Sequence, residues 1–153
     1  MYNVGLIMTN VDSLTKIDCT ICKIIEGQIP SCLVLENEKI IAFMDIVQPQ
    51  PGHLLIVPRD HHSRLDTMPS DLWVSMIEAT HRLTHAIYQS LSPAGLNLLL
   101  SDGPAAGQEL MHVHLHILTR KNGDGTLGIN TGNSSTYSEI ADIAEQIKKK
   151  LSQ

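Results

Sequence analysis

Hydrophobic positions along this chain keep two different periods, and the switch between them marks out its elements. Between Cys32 and Pro58 they come in short runs, CLVLE, KIIAFM and HLLIVP, cut by an Asn-containing turn and by QPQPG. Short runs rich in Val, Ile, Leu and Phe between turn residues predict strands near 32–36, 39–44 and 53–58. From Ser70 the period lengthens: Trp73, Met76, Ile77, Thr80, Leu83, Thr84, Ile87 and Leu91 predict a long helix with Ser70 as its N-cap. Pro93 and Gly95 end it. LNLLLS and LMHVHLHILTR predict two more strands, separated by the glycine-containing loop SDGPAAGQE. A short helix is expected over DCTICKIIEG, with Asp18 as N-cap and Gly27 as its stop. A last helix is expected from Thr136 or Ser138, after the flexible loop KNGDGTLGINTGNSS, with Ile140, Ile143, Ala144, Ile147 and Leu151 on one face and Lys148 to Lys150 at the negative end of its dipole. Five short strands around a long helix predict an α+β domain with a mainly antiparallel sheet.

A chain of 153 residues supports a single core, and 42% apolar with 18% charged residues is ordinary globular composition. The net charge of -5 argues against a binder of polymeric nucleic acid, which would present a basic face, but leaves room for a nucleotide-sized ligand. One Phe, one Trp and three Tyr are too few for a single-strand stacking platform. The first residues lack a basic n-region, and no apolar run approaches the ~20 residues that span a bilayer. With three cysteines, Cys19, Cys22 and Cys32, and no secretory signal, a reducing cytoplasmic compartment is expected, with metal binding or burial rather than disulfides.

The chemistry concentrates in HVHLH, residues 112–116. A strand would line His112, His114 and His116 along one face and send Val113, Leu115 and Ile117 into the core. A purely structural strand gains nothing by desolvating three titratable rings. Two readings compete. Three neutral imidazoles could ligate a catalytic zinc. Alternatively, one imidazole is a nucleophile that its neighbours orient while they bind an anion. The preceding loop GPAAGQ favours the second, because its small residues and backbone N–H groups suit phosphate oxygens. His81 and His85, four apart on the long helix, lack the acidic partner of a metalloprotease pattern and read as a solvated edge.

HVHLHIL resembles the His-x-His-x-His-x-x signature of the histidine triad (HIT) family, and CTICKIIEGQIP, IAFMDI, PGHLLIVPRDH and GPAAGQE resemble its other blocks in order and spacing. The match covers residues 18–120, with 1–17 a tail and 121–153 a C-terminal loop and helix packed on the domain. The resemblance implies a HIT-like fold and a homodimer with sheets running together across two subunits. It also implies a nucleotide hydrolase or nucleotidyl transferase acting at the α-phosphate of purine nucleoside 5′-phosphoryl compounds. Dinucleoside polyphosphate hydrolysis and a noncatalytic nucleotide-binding regulatory module are the alternatives. His114 would be the nucleophile, with His112 orienting it and His116 and His53 against the phosphate oxygens. Asp45 would hold the ribose hydroxyls, Ile21, Ile24 and Ile46 would pack on the base, and Gly107 and Gln108 would line the phosphate loop. Asp45 would serve equally as a turn cap, and Ile24 as ordinary core.

Two positions depart from the phosphoramidase branch: Glu109 stands where it has Ser, and Ser101 where it often has Asn. Both bear on the leaving group. A Glu109 carboxyl desolvated by the loop would hold a proton for a departing amine; a solvated loop residue is the other reading. No cofactor is expected for catalysis. In bacterial relatives the CxxC pair resembles a structural zinc site, which here would comprise Cys19, Cys22, His61 and His112. Cys32 would lie outside it, buried.

Overall fold

The computed structural model describes residues 16–125 and 134–152; the expected N-terminal tail and most of the loop after Lys121 lie outside them. Five strands, β1 (Leu33–Glu36), β2 (Ile40–Met44), β3 (Leu54–Pro58), β4 (Gly95–Leu99) and β5 (Leu115–Arg120), form one sheet in the order β1-β2-β3-β5-β4. Every pairing is antiparallel. Helices α1 (Thr20–Ile25), α2 (Ser70–Leu91) and α3 (Tyr137–Leu151) complete the expected α+β architecture. No described helix is long and apolar enough to cross a membrane.

The two faces of the sheet have different tasks. Ile40, Ala42 and Met44 of β2, Leu54 and Ile56 of β3 and Leu115 and Ile117 of β5 enter a large core with α2 and α3. Ile41, Phe43, Leu55 and Val57 project to the opposite face, where Ile21 and Cys22 of α1 cover them. With both faces covered, β2 and β3 are buried at every position, which accounts for their continuous apolar runs.

Local chemistry sets most boundaries. The Asn37 carboxamide accepts from the Lys39 and Ile40 N–H groups at 2.8 and 2.9 Å and turns the chain from β1 into β2. Thr136 and Glu139 form a reciprocal capping box on α3. Three expectations need correction. The N-cap of α1 is Cys19, not Asp18, and its sulfur accepts from the Cys22 N–H at 3.4 Å. Ser70 is the first residue of α2, and Pro69, extended at ψ 140°, occupies the cap without a side-chain bond. The last strand joins the ladder only at Leu115, because the Val113 N–H donates to the His62 carbonyl at 2.7 Å instead of to a neighbouring strand.

The buried stripe of α2 is also shifted from the expected one. Leu72, Ala79 and Ala86 join Met76, Thr80, Leu83 and Ile87 in the interior, whereas Ile77 is exposed. Val74, Ile77 and Tyr88 form a second, outward apolar face.

Gly52 closes the QPQPG segment just before β3. Its φ is +110°, and a Cβ there would lie 2.7 Å from Leu91 Cδ1 and 2.8 Å from Thr119 Cγ2. Gly52→Ala should therefore add backbone strain to overpacking and destabilise the fold by roughly 2–4 kcal/mol, measured by urea denaturation.

Candidate active site

Alternation holds across HVHLH: Val113, Leu115 and Ile117 enter the large core, and the three histidines are buried toward the α1 side. Odd positions of β2 and β3 project to that side as well, which brings Asp45 past the end of β2 and His53 just ahead of β3 to the same place. The row nevertheless divides, because each histidine gives its ring proton to a different acceptor.

His114 Nδ1 lies 2.6 Å from the His112 carbonyl oxygen. A carbonyl only accepts, so Nδ1 carries the proton and Nε2 of the neutral ring keeps its lone pair. His53 Nδ1 likewise donates to the Val47 carbonyl at 2.6 Å, leaving its Nε2 to accept from His116 Nδ1 at 2.9 Å. The His53 and His116 rings stack with centroids 5.2 Å apart, and Asp45 Oδ2 lies 3.7 Å from His53 Nε2. Asp45 Oδ1 accepts from the Val47 N–H at 2.8 Å, which sets the carboxylate's direction.

His112 faces elsewhere. Its Nε2 donates to the Pro58 carbonyl at 2.9 Å, and its Nδ1 lies 3.5 Å from Cys19 Sγ and 3.6 Å from Cys22 Sγ. Cys22 Sγ is 3.3 Å from His61 Nδ1, and the four ligand atoms lie within 4.8 Å of one another. With Zn–S near 2.3 Å and Zn–N near 2.05 Å, a tetrahedron requires S···N edges of about 3.6 Å, so this donor set has the dimensions of a Cys2His2 zinc site. Among the described residues no ligand cluster joins His112 with His114 and His116, which removes the geometry a three-histidine zinc centre needs.

Burial keeps these groups neutral. Desolvation holds His116 down at about 3 and His112 at about 4. It also lowers His114, partly offset by the His112 carbonyl and by the carboxylates of Asp45 and Glu109. The Cys22 thiol is pushed up to about 12 by burial and by Cys19 beside it. A metal would reverse that balance by binding the thiolate.

A pocket of about 190 Å³ opens at His114 and His116, with Asp45, Gly107 and Glu109 on its rim. Beside it lies an apolar pocket of about 280 Å³ that includes Ile21, Ile24, Phe43 and Ile46, and the two share Asp45, Leu55 and Leu110. Three expected site residues behave differently from the sequence reading. The Gln108 side chain turns inward, accepting from the Gly103 N–H at 2.7 Å and donating to the carbonyls of Ser63 and Leu110, so it braces the loop rather than lining the pocket. Ser101 is not among the residues that line either pocket. Glu109 is exposed, so the desolvation expected of it is absent.

The sequence reading missed that the C-terminal helix reaches this site: Tyr137 and Ile140 line the apolar pocket, with Cys32. Ile140 was visible as part of an amphipathic stripe, but periodicity does not say which cavity a stripe abuts. The Tyr137 hydroxyl donates to the Ser31 carbonyl at 3.2 Å, and the Cys32 thiol raises its pKa, which keeps it in the donor form.

An antiparallel α+β sheet presenting alternating buried histidines beside a small polar pocket defines a histidine triad protein. Residues 26–123 match the HIT domain, and the chain belongs to this family. Protein hit of Bacillus subtilis is 35% identical over 137 residues, 88% of this chain and 94% of that protein. Adenosine 5′-monophosphoramidase HNT1 of Candida albicans is 30% identical over 138 residues, covering 87% and 91%. The crystal structure of a Zn-bound histidine triad family protein from Mycobacterium smegmatis superposes with a TM-score of 0.78 at 27% identity, covering 90% of this chain and 95% of that one.

The neutral burial of His116 has a thermodynamic consequence. Its folded pKa lies below the ordinary 6.5, so between pH 6.5 and about 3 unfolding takes up a proton there. That contribution to stability is complete above pH 6.5 and is lost as pH falls through the window. His116→Asn should flatten the acid side of the stability–pH curve by up to about 1.4 kcal/mol per pH unit, read from denaturation between pH 7 and 5.

Proposed function

We propose that this protein is a nucleotide hydrolase or nucleotidyl transferase that cleaves at the α-phosphate of purine nucleoside 5′-phosphoryl compounds, of the AMP phosphoramidate type, through a nucleotidyl–histidine intermediate. The observation that carries the reading is the 2.6 Å bond from His114 Nδ1 to the His112 carbonyl, which leaves Nε2 unprotonated at a phosphate-sized pocket. Nε2 attacks phosphorus, an N–P bond forms, and the bond from phosphorus to the leaving group breaks with its electron pair going to that group. An amine leaves once protonated, and solvent reaching the pocket beside the exposed Glu109 supplies that proton. Water then cleaves the N–P bond, releasing the nucleotide and restoring the imidazole. His116 and Gly107 border the phosphate oxygens, His53 backs His116 through the 2.9 Å ring contact, and Asp45 receives the ribose hydroxyls between the polar and apolar pockets. Ile21, Ile24 and Ile46 take the base. The name of the Candida relative supports the phosphoramidate class. Dinucleoside polyphosphates share the same α-phosphate and are the alternative substrates, while a noncatalytic module would bind AMP without turnover.

Cys19, Cys22, His61 and His112 would hold a structural zinc, whose role is to fix the strand carrying His114 rather than to act on substrate. The Zn-bound mycobacterial relative supports this assignment. A reducing cytoplasmic setting suits it, since both cysteines must remain free to bind metal. A homodimer would cover the exposed apolar residues Val74, Ile77 and Tyr88 on the outward face of α2, or pair the outer strand β4, where Leu98 is exposed.

His114→Ala should lose at least about a hundredfold in AMP release from adenosine 5′-phosphoramidate while still binding AMP, because a nucleophile contributes to chemistry more than to ground-state affinity. Near wild-type turnover in that variant would remove the assignment. Metal analysis of protein purified without a histidine tag should find about one zinc per chain. Metal-free protein with both cysteines freely alkylated in the native state would show the cluster to be a thiol–imidazole contact only.

A further inference from the structure

Tyr137 begins α3 and, with Ile140, comes to the site from far along the chain. Its backbone is held from several sides: the Thr136–Glu139 capping box fixes the helix start, the Ser135 N–H donates to the Ile46 carbonyl at 2.9 Å, and the Cys32 thiol lies 3.8 Å from the Tyr137 carbonyl. The side chain is held as well, by the 3.2 Å bond from its hydroxyl to the Ser31 carbonyl. Yet 55% of the residue remains exposed, whereas Ile140, one turn on, is 4% exposed and lies deeper in the same apolar pocket. An aromatic ring tethered at its far end but left open at the mouth of an apolar pocket offers a flat face to a flat ligand. The pocket joins the histidine pocket through Asp45, Leu55 and Leu110, so that ligand is the ring system attached to whatever phosphate sits at His114.

We propose that Tyr137 is a specificity-determining wall of the base subsite, so that the C-terminal helix, and not only the histidine-bearing sheet, selects purine over pyrimidine nucleotides. The inference rests on the nucleotide reading given above. A two-ring base covers more of the tethered phenol than a one-ring base, and stacking on an aromatic side chain is sensitive to that overlap.

The test uses the full chain and its Tyr137→Ala, Tyr137→Leu and Tyr137→Phe variants, with AMP and CMP binding measured by calorimetry and turnover measured with adenosine 5′-phosphoramidate. Tyr137→Ala should weaken AMP binding roughly five- to tenfold and narrow the preference for AMP over CMP, raising KM while kcat stays within about twofold. Tyr137→Leu, which keeps apolar packing on Ile140 without a flat ring, should behave the same way even if the alanine variant folds poorly. Tyr137→Phe should bind AMP within about twofold of wild type. Unchanged AMP affinity in the leucine variant, or equal loss of AMP and CMP together with a lowered Tm, would overturn the proposal and leave the nucleotide reading standing. Wild-type protein that binds neither nucleotide would overturn both.

Discussion

A buried neutral imidazole has one N–H and one lone pair, and three backbone carbonyls decide which nitrogen carries which. Val47 takes the proton of His53, Pro58 that of His112, and the His112 carbonyl that of His114. Each assignment releases the opposite nitrogen: His53 Nε2 toward His116, His112 Nδ1 toward the cysteine pair, and His114 Nε2 toward the pocket. Main-chain acceptors suit this task because their positions follow from the sheet and do not depend on a rotamer or on pH. Desolvation reinforces it by disfavouring the protonated ring, in which both nitrogens would be donors.

The same economy links the two centres. His112 serves the cysteine cluster with its ring and His114 with its carbonyl, so any shift of that residue moves both. The sheet leaves Leu110 to His114 outside its ladder, and the Val113 N–H goes to His62, the residue after His61. The thiol–imidazole cluster therefore does for this segment what strand pairing does for Leu115 to Arg120. On the proposed reading, a zinc held by these four donors would limit displacement of the segment that carries His114.

The two sides of the sheet are packed differently. The α2 and α3 side holds the continuous apolar core, and the α1 side holds a thinner layer that gives way to both pockets. Helix α3 is the exception that joins them. Ile140, Ala144 and Ile147 enter the large core, while Tyr137 at its first turn reaches the edge of the apolar pocket.

Much of this was legible along the chain. Strand runs, the long helix, the capping residue Thr136 and the alternation at residues 112–116 depend on local period and turn chemistry, which neighbouring residues carry by themselves. The CxxC pair and the histidine row named the reactive groups, and their side-chain types bounded the chemistry they could perform. Which nitrogen of each ring is free, by contrast, depends on backbone geometry that side-chain types do not reveal: the acceptors lie two residues from His114, six from His53 and 54 from His112. The same holds for Gln108, whose amide reads as a phosphate ligand until Ser63 and Gly103 are seen to occupy it. Tyr137 joins the site only through the packing of α3 against β1 and β2. The sequence by itself determined the elements and the inventory of reactive groups, because these are set by local geometry and covalent chemistry. Tertiary structure alone decided their burial, their long-range partners and the pocket each one faces, because those are set by contacts between residues distant in the chain.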